Sequence, residues 1–239
     1  MPHTNMNTVE LARFLGMDYR RAARMAQRGE IPCQKVGGQM RFNRAEVTEW
    51  LQQKMGQLNR KYLAEMDAGI TAHRQANPEA TIVSNLLRPE AIATDLAART
   101  KRSVLKELVA LAFETELLYD GETLLEALLQ REELRSTALE KGIAIPHPRR
   151  PLPNAAAEPI LVFANTPQGI GFGAPDGRLT DLFFMTCSPD DRHHLHVLAR
   201  LCRMLNHKDL PHHLRTAQTP EEVIDLMRQS ELEVIADSN

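Results

Sequence analysis

A histidine enclosed by two prolines, Pro146-His147-Pro148, is the most constrained stretch of this sequence. Each proline fixes its own φ angle and pushes the residue before it towards extended geometry. His147 is therefore predicted to lie on a stiff loop, outside any helix or central strand. A neutral imidazole is a nucleophile that can attack phosphorus, and Arg149 and Arg150 could hold a phosphoryl group by paired hydrogen bonds. These residues alone leave two interpretations open, a phosphoryl acceptor and a structural loop with an incidental histidine.

The residues that lead up to His147 form a longer motif. Arg131 is followed by the pair Ser136-Thr137 and then by the run Gly142-Ile-Ala-Ile-Pro-His147. This spacing resembles the active-site signature of the type-2 enzyme IIA domains of the phosphoenolpyruvate-dependent phosphotransferase system, which include fructose, mannitol and nitrogen-regulatory classes. The similarity extends from about Leu86 to about Met227. The resemblance implies that His147 accepts a phosphoryl group from the small carrier protein HPr or its paralogue.

A second motif of the same family is matched downstream, in the run from His194 to Leu201. The resemblance implies that His194 lies at a helix start beside the phosphorylated histidine and donates a hydrogen bond to a phosphoryl oxygen or orients the ring. It also implies that Arg131 supplies positive charge. Ser136 and Thr137 would add hydroxyl and backbone donors.

The resemblance implies a site without metal or cofactor. The phosphoryl donor would be a phosphohistidine on another protein, so the transfer requires no Mg²⁺. Arg149 is a further candidate for holding the phosphoryl group, although its place after a proline could point it towards solvent. A zinc site made of His193, His194 and His196 is disfavoured, because helix positions i, i+1 and i+3 do not share a face.

The first part of the chain has the pattern of two short helices joined by a tight turn. Thr8 is predicted to cap the first helix and Asp18 the second. Gly37-Gly38 between two short strands predicts a hairpin, and Asn43 is placed to cap a third helix. This order is similar to the excisionase and MerR-type winged helix-turn-helix family over residues 7–53.

That resemblance implies DNA binding, with the second helix in the major groove and the hairpin on the flanking backbone or minor groove. Arginine suits both phosphate contacts and the reading of guanine, so individual roles stay open. The alternative is a protein-binding module with a solvated basic face. The candidate DNA contacts are Tyr19, Arg20, Arg21, Arg24, Lys35 and Arg41.

Charge divides the chain in the same way. Residues 1–62 hold 11 Lys+Arg and 5 Asp+Glu, a net charge of +6, whereas residues 63–239 hold 18 and 26, a net charge of −8. A basic head on an acidic body indicates that only the head meets a polyanion. We expect a winged helix-turn-helix domain at 1–56, a helical linker at 57–80 and an enzyme IIA domain at 81–232.

The linker carries an apolar stripe formed by Leu63, Met66, Ile70 and His73. Spacings of this kind fit either a short coiled coil, which would support a homodimer, or an amphipathic helix resting on one of the domains. Asn77-Pro78 predicts a break before the second domain.

The second domain alternates helices with short apolar strands. Ser103 is predicted to cap a strong helix, and Asp190 or Asp191 to begin a long one. The runs 160–164 and 182–186 are typical of buried strands. The predicted fold class is therefore α/β, with a mixed sheet flanked by helices.

Composition indicates the cellular compartment in which the chain should function. No apolar run approaches the ~20 residues of a membrane span, and the first residues lack the regions of a signal peptide. The three widely spaced cysteines, Cys33, Cys187 and Cys202, indicate free thiols in a reducing cytoplasm. A last helix is predicted at 221–228, followed by a frayed tail.

These features predict a bacterial regulator that couples phosphorylation of His147 to DNA binding. The alternatives are a sugar-transport component whose head only docks proteins, and a sensor that binds an anion without covalent chemistry. Phosphorylation adds roughly two negative charges. If the site faces the head, this charge should draw the basic helix towards the body. If it faces away, it can act only through the linker stripe and dimer geometry.

Overall fold

The computed structural model describes residues 5–56, 58, 60–73, 81–206 and 209–237. We call residues 5–56 the head and residues 81–237 the body. Helix α4 connects them. The elements of the head and the connecting helix are β1 (Asn5–Met6), α1 (Thr8–Phe14), α2 (Tyr19–Gln27), β2 (Gln34–Val36), β3 (Gln39–Asn43), α3 (Arg44–Met55) and α4 (Arg60–His73).

Side-chain caps begin the helices of the head. Asp18 caps α2 and Asn43 caps α3, both as predicted. The cap of α1 is Asn7 rather than Thr8, so the predicted cap is one residue late. The Asn7 side chain accepts from the Glu10 backbone N–H, and the Glu10 carboxylate accepts from the Asn7 N–H. This reciprocal pair is a capping box and satisfies two otherwise unpaired donors.

The predicted hairpin is present in the head. Strands β2 and β3 are antiparallel, with Val36 opposite Gln39. Gly37 and Gly38 between them have φ angles of 58° and 79°, which glycine adopts without steric cost. Strand β1 pairs with the other edge of β3, giving the strand order β1-β3-β2. The helices and this sheet together make the winged helix-turn-helix arrangement.

The body is built on a four-stranded mixed sheet with the order β4-β6-β7-β5. The central strands β6 and β7 are antiparallel, whereas β4 is parallel to β6 and β5 is parallel to β7. Two 3₁₀ turns, Ser84–Leu86 and Pro89–Ala91, precede the sheet. The elements that follow are β4 (Ile92–Ala93), α5 (Lys101–Glu114), α6 (Gly121–Leu134), β5 (Ile143–Ala144), β6 (Ile160–Ile170), β7 (Thr180–Cys187), α7 (Asp191–Leu205), α8 (Leu210–Thr216) and α9 (Pro220–Ala236).

Alternating side chains of the strands cover both faces of this sheet. In β6, Ile160 and Val162 belong to the core shared with α5 and α6, while Leu161 and Phe163 belong to the core shared with α7 and α9. Successive strand residues point to opposite faces, so a strand buried on both sides is apolar throughout. The predicted α/β fold with helices on both sides of a mixed sheet is therefore confirmed.

Two helix boundaries in the body differ from the predictions. Thr100, not Ser103, caps α5, and Ser103 is the returning partner three residues later. The predicted frayed tail is wrong, because α9 continues to Ala236. Its last turns bury Val234 and Ile235, which supply the apolar contacts that a terminal helix needs to stay ordered.

The apolar stripe of α4 is buried in the core of the chain. Leu63 and Met66 are fully buried and Ile70 nearly so, in the same core as α1 and α7. This is the amphipathic helix resting on the domains, and these three residues are not available for a coiled coil. The side chain of His73 and the Asn77-Pro78 break lie outside the described residues.

A buried ionic cluster fastens α4 to the body. Asp67 pairs with Arg200 at 2.5 Å, with His196 at 3.1 Å and with Arg203. Arg200 also reaches Glu231 of α9 at 3.3 Å. Burial alone would raise the pKa of Asp67, but the hydrogen bond from His196 and the two arginine charges outweigh it and lower that pKa. The cluster joins α4, α7 and α9.

One continuous apolar core extends from the head through α4 into the body, so the head is packed against the body and not tethered beside it. Across the described ranges, the structure has no helix with both the length and the apolar character needed to cross a membrane.

Candidate active site

His147 lies on the extended loop after β5, where the prolines hold it as predicted. Its Nδ1 donates a hydrogen bond to the backbone carbonyl of Ile145 over 2.7 Å. With the proton of the neutral ring on Nδ1, Nε2 carries the lone pair. Nε2 is buried and has no hydrogen-bond partner among the described residues, while the whole side chain is 5% exposed. The loop therefore presents an unpartnered nucleophilic nitrogen.

His194 lies beside His147, as the family resemblance implies. The two ring centroids are 5.3 Å apart and the ring planes are inclined by 52°. His194 is in the first turn of α7 and is 2% exposed. Its Nε2 accepts a hydrogen bond from the side-chain amide of Gln52 over 2.7 Å. An amide NH₂ can only donate, so this bond requires an unprotonated Nε2.

Both imidazoles are held in the neutral form. Burial lowers the pKa of His147 well below the ordinary value of 6.5, and the neighbouring His194 and Arg131 act in the same direction. The hydrogen bond to Ile145 raises this pKa but does not outweigh them. Burial and the charge of Arg131 lower the pKa of His194 to about 4. A neutral His147 is the form that can attack an electrophile near pH 7.

Arg131 contributes a buried cation at the end of α6. Its Nη1 donates to the backbone carbonyl of Arg135 over 2.6 Å, which fixes the side chain beside the signature loop. Burial lowers the pKa of Arg131, and the carboxylates of Glu132 and Glu49 oppose that effect. The charge of Glu49, a residue of the head, therefore reaches the site.

Ser136 and Thr137 lie at the site with their hydroxyl groups engaged. Ser136 Oγ donates to the carbonyl of Phe172 over 2.6 Å. The hydroxyl of Thr137 donates to Glu132, which also accepts from the Thr137 backbone N–H at 2.9 Å. In this state both hydroxyls hold the signature loop in place.

A cleft of about 650 Å³ opens beside these groups, between α3 of the head and the loop that follows α6. His147, Arg131, Ser136 and Thr137 line it from the body. Gln52, Gln53 and Met55 of α3 line its opposite side.

Arg149 is exposed, as its place after a proline allows, and its side chain also reaches the head. It forms an ion pair with Glu49 of α3. Neither Glu49 nor Gln52 was identified from the sequence, because no family motif of the head includes them. Their helical spacing of three residues gave the only signal, since it places them on one side of α3.

The neighbouring histidines face different partners. His193 contacts Asp190 at 2.5 Å, whereas His196 contacts Asp67 and the hydroxyl of Thr71. They do not converge with His194, and no cluster of three potential metal ligands occurs within the described residues.

The candidate DNA contacts divide into two groups. Tyr19, Arg20 and Arg24 on α2 and Lys35 on the hairpin are exposed. Arg21 forms an ion pair with Glu65 of α4 and lies over the Tyr62 ring, and Arg41 donates to Gln39 at 2.8 Å. Arg21 therefore faces α4.

Comparison with known proteins matches both parts of the chain. The model of the phosphoenolpyruvate-dependent sugar phosphotransferase system EIIA 2 family matches residues 85–230, and a helix-turn-helix domain matches residues 6–55. A nitrogen regulatory protein from Bradyrhizobium diazoefficiens is 35% identical over 61% of this chain and 94% of its own length. The fructose-specific EIIA component of Haloferax volcanii is 31% identical over 63% of this chain and 97% of its own length.

Solved structures agree with this result. The nitrogen regulatory protein IIA-Ntr from Neisseria meningitidis superimposes with a TM-score of 0.56 at 29% identity, covering 62% of this chain and 99% of that one. IIA mannitol from Escherichia coli has the same fold, with a TM-score of 0.52 at 22% identity over 59% of this chain and 98% of its own. The chain therefore belongs to the EIIA type-2 family of the phosphotransferase system and carries a helix-turn-helix domain ahead of its EIIA domain.

Proposed function

We propose that this chain is a regulatory EIIA protein of the nitrogen-regulatory type, which accepts a phosphoryl group on Nε2 of His147 from an HPr-type carrier and reports that state through DNA binding by its head. The observation that carries the proposal is the unpartnered Nε2 of a neutral His147, which lies beside His194 and is influenced by the charge of Arg131. This function belongs in the cytoplasm, and we keep the division into domains at 1–56 and 81–232 with a connecting helix.

The transfer uses groups that the chain itself supplies. The lone pair of His147 Nε2 attacks phosphorus in line, a new N–P bond forms, and the N–P bond of the carrier's phosphohistidine breaks. The carrier's imidazole leaves with that electron pair. The His147 proton stays on Nδ1, where the Ile145 carbonyl stabilises it. Arg131, Arg149 and His194 would stabilise the negative oxygens, and Ser136 and Thr137 would keep the signature loop in place through their bonds to Phe172 and Glu132.

Labelling tests the acceptor. The chain is incubated with phosphoenolpyruvate, enzyme I and an HPr-type carrier, and acid-labile phosphate is mapped by mass spectrometry. We expect His147→Ala to abolish the label while the fold survives. His194→Ala should slow labelling or shorten the lifetime of the phosphohistidine, because it removes a neighbour of the phosphoryl group.

His213→Ala is the matched control for labelling, since His213 is exposed on α8. It should label like the wild type. Label that persists at the normal rate in His147→Ala would show that another residue is the acceptor.

Binding to DNA is proposed for the exposed basic surface of α2 and the hairpin. Arg20, Arg24, Tyr19 and Lys35 support this proposal by their exposure, and the net charge of +6 in residues 1–62 would favour a polyanion. Arg21 would contribute only after leaving Glu65.

Salt dependence tests the DNA contacts. Arg20→Ala and Arg24→Ala should each weaken binding and reduce the log–log salt slope by about 0.9 if the residue contacts a phosphate. Arg102→Ala makes the same charge change on an exposed position of the body and should leave the slope unchanged. No affinity of the full chain for any DNA at low salt would remove the regulatory function.

A sugar-transport role is the second candidate, because relatives of both classes occur at similar identity. In that case phosphate should pass rapidly from His147 to a IIB protein. A homodimer remains a prediction, and it would need a surface other than the buried stripe of α4.

A further inference from the structure

We propose that helix α3 of the head is a built-in cover for the phosphorylation site, so that docking of α3 and phosphorylation of His147 exclude each other. A protein donor would have to compete with α3 for the surface around His147. This inference rests on the proposed function of His147 as a phosphoryl acceptor.

The contact at the centre is between Gln52 and His194. Gln52 is 7% exposed and its Nε2 donates to His194 over 2.7 Å, although the two residues are 142 positions apart. The second amide atom, Gln52 Oε1, is buried without a partner among the residues that the structure describes. A buried, half-satisfied amide is costly in a purely structural contact. Such an amide suits a contact in which α3 must be able to separate from α7.

Two ion pairs precede this hydrogen bond along α3. Glu49 pairs with Arg149 on the signature loop, and Arg44 pairs with Asp191 at the start of α7 at 3.1 Å. Both pairs are partly exposed, and such pairs contribute little to stability. They therefore orient α3 over the site without locking it there.

A phosphoryl group on His147 would oppose all of these contacts. It adds roughly two negative charges to the site and would draw Arg149, the ion-pair partner of Glu49, and Arg131 towards its own oxygens. His194 would turn from the amide of Gln52 to the phosphoryl group. Helix α3 has no net charge, but the residue that it sets against the signature loop is Glu49, not a residue of the basic α2, so the added charge should repel this part of the head. The expectation that it draws the basic helix towards the body does not fit this arrangement.

Access to His147 gives the second argument. With 5% of its side chain exposed, His147 cannot be reached in line by a histidine on the surface of another folded protein. The cleft of about 650 Å³ beside it accommodates a small anion. A small phosphoryl donor should therefore distinguish a covered site from a chemically inactive one.

The first experiment measures the accessibility of His147 in the full chain with diethyl pyrocarbonate, which modifies neutral imidazoles, and maps the product by mass spectrometry. Wild-type His147 should be protected, because diethyl pyrocarbonate is larger than the small anion that the cleft accommodates and must reach Nε2 past α3. Glu49→Arg should remove the protection, because it places two arginines against each other. The pair Glu49→Arg with Arg149→Glu should restore it.

Glu46→Arg is the control, since Glu46 is exposed one turn earlier on the same helix. It should keep His147 protected. Circular dichroism and unfolding curves establish that each variant is folded. Equal modification of His147 in the wild type and in Glu49→Arg would overturn the proposal.

The second experiment compares phosphoryl donors. Gln52→Ala should be labelled by the HPr-type carrier about 5–150-fold faster than the wild type, whereas labelling by phosphoramidate should change much less. Glu46→Arg should label like the wild type with both donors. Equal rates of labelling by the carrier in Gln52→Ala and the wild type would contradict the proposal that α3 covers the site. A complete lack of label from either donor in every variant would instead overturn the proposed function, and this inference with it.

Discussion

At the scale of single residues, the site depends on where one proton is held. The carbonyl of Ile145 keeps the proton of His147 on Nδ1, and the prolines on either side fix the loop in the geometry that allows this bond. Nε2 is thereby left as the only nitrogen of the ring that can attack phosphorus. Burial keeps the ring neutral, so the nucleophile exists before a donor arrives.

Buried neutral histidines should make the chain sensitive to acid. The folded state depresses the pKa of His194 to about 4, so below about pH 6.5 the unfolded chain binds a proton that the folded chain does not. The stability that depends on a neutral His194 is therefore fully present above pH 6.5 and is lost as the pH falls towards 4. For His194 the loss is about 3 kcal/mol.

Urea unfolding at pH 7 and at pH 4 measures this effect. The loss of unfolding free energy should be smaller in His194→Gln than in the wild type, and unchanged in His213→Gln, which alters an exposed ring. The same pH dependence in His194→Gln as in the wild type would mean that His194 is not held neutral.

Residues with a local or family signature were predictable, and residues defined by packing between head and body were not. The stiff loop at His147, the caps Asp18 and Asn43 and the nearness of His194 follow from short patterns in the sequence. Gln52 acquires its role only through the arrangement of α3 on α7, which depends on the whole core. The end of α9 was missed for the same reason, because its burial is tertiary.

At the scale of elements, α4 decides how the head meets the body. Its apolar stripe faces α7, and Asp67 is surrounded by cations of the body. Its backbone also touches the turn after α1 closely, since a Cβ on Gly69 would lie 2.1 Å from the carbonyl oxygen of Gly16. Helix α4 is therefore part of the fold and should stay with the body when α3 leaves the site.

Removing the charge of Asp67 should destabilise the chain strongly. Asp67→Asn leaves Arg200 and Arg203 buried without their shared carboxylate, and breaking a buried pair in this way costs about 3–5 kcal/mol. Denaturant unfolding gives the difference. Asp225→Asn, which changes an exposed carboxylate paired with Arg228, should stay within about 0.5 kcal/mol of the wild type. A similarly small effect of Asp67→Asn would mean that the cluster does not hold α4.

At the scale of the whole molecule, charge and packing predict whether phosphorylation of His147 strengthens or weakens DNA binding. The head carries +6 over residues 1–62 and the remainder carries −8, so a docked acidic body repels DNA phosphates near the head. Phosphorylation should release α3 from the site, so that the head can turn on its remaining contacts with α4 and increase the distance between its basic residues and the acidic body. The repulsion between body and DNA falls with distance, so phosphorylated protein should bind DNA more tightly.

The most direct test is the DNA affinity of the full chain before and after phosphorylation, at low and at high salt, with His147→Ala treated in the same way as the baseline. We expect the phosphorylated wild type to bind about 5–150-fold more tightly at low salt, with a smaller gain at high salt because screening weakens the repulsion. His147→Ala should not respond. Equal affinities of the two forms, or weaker binding after phosphorylation, would contradict the account.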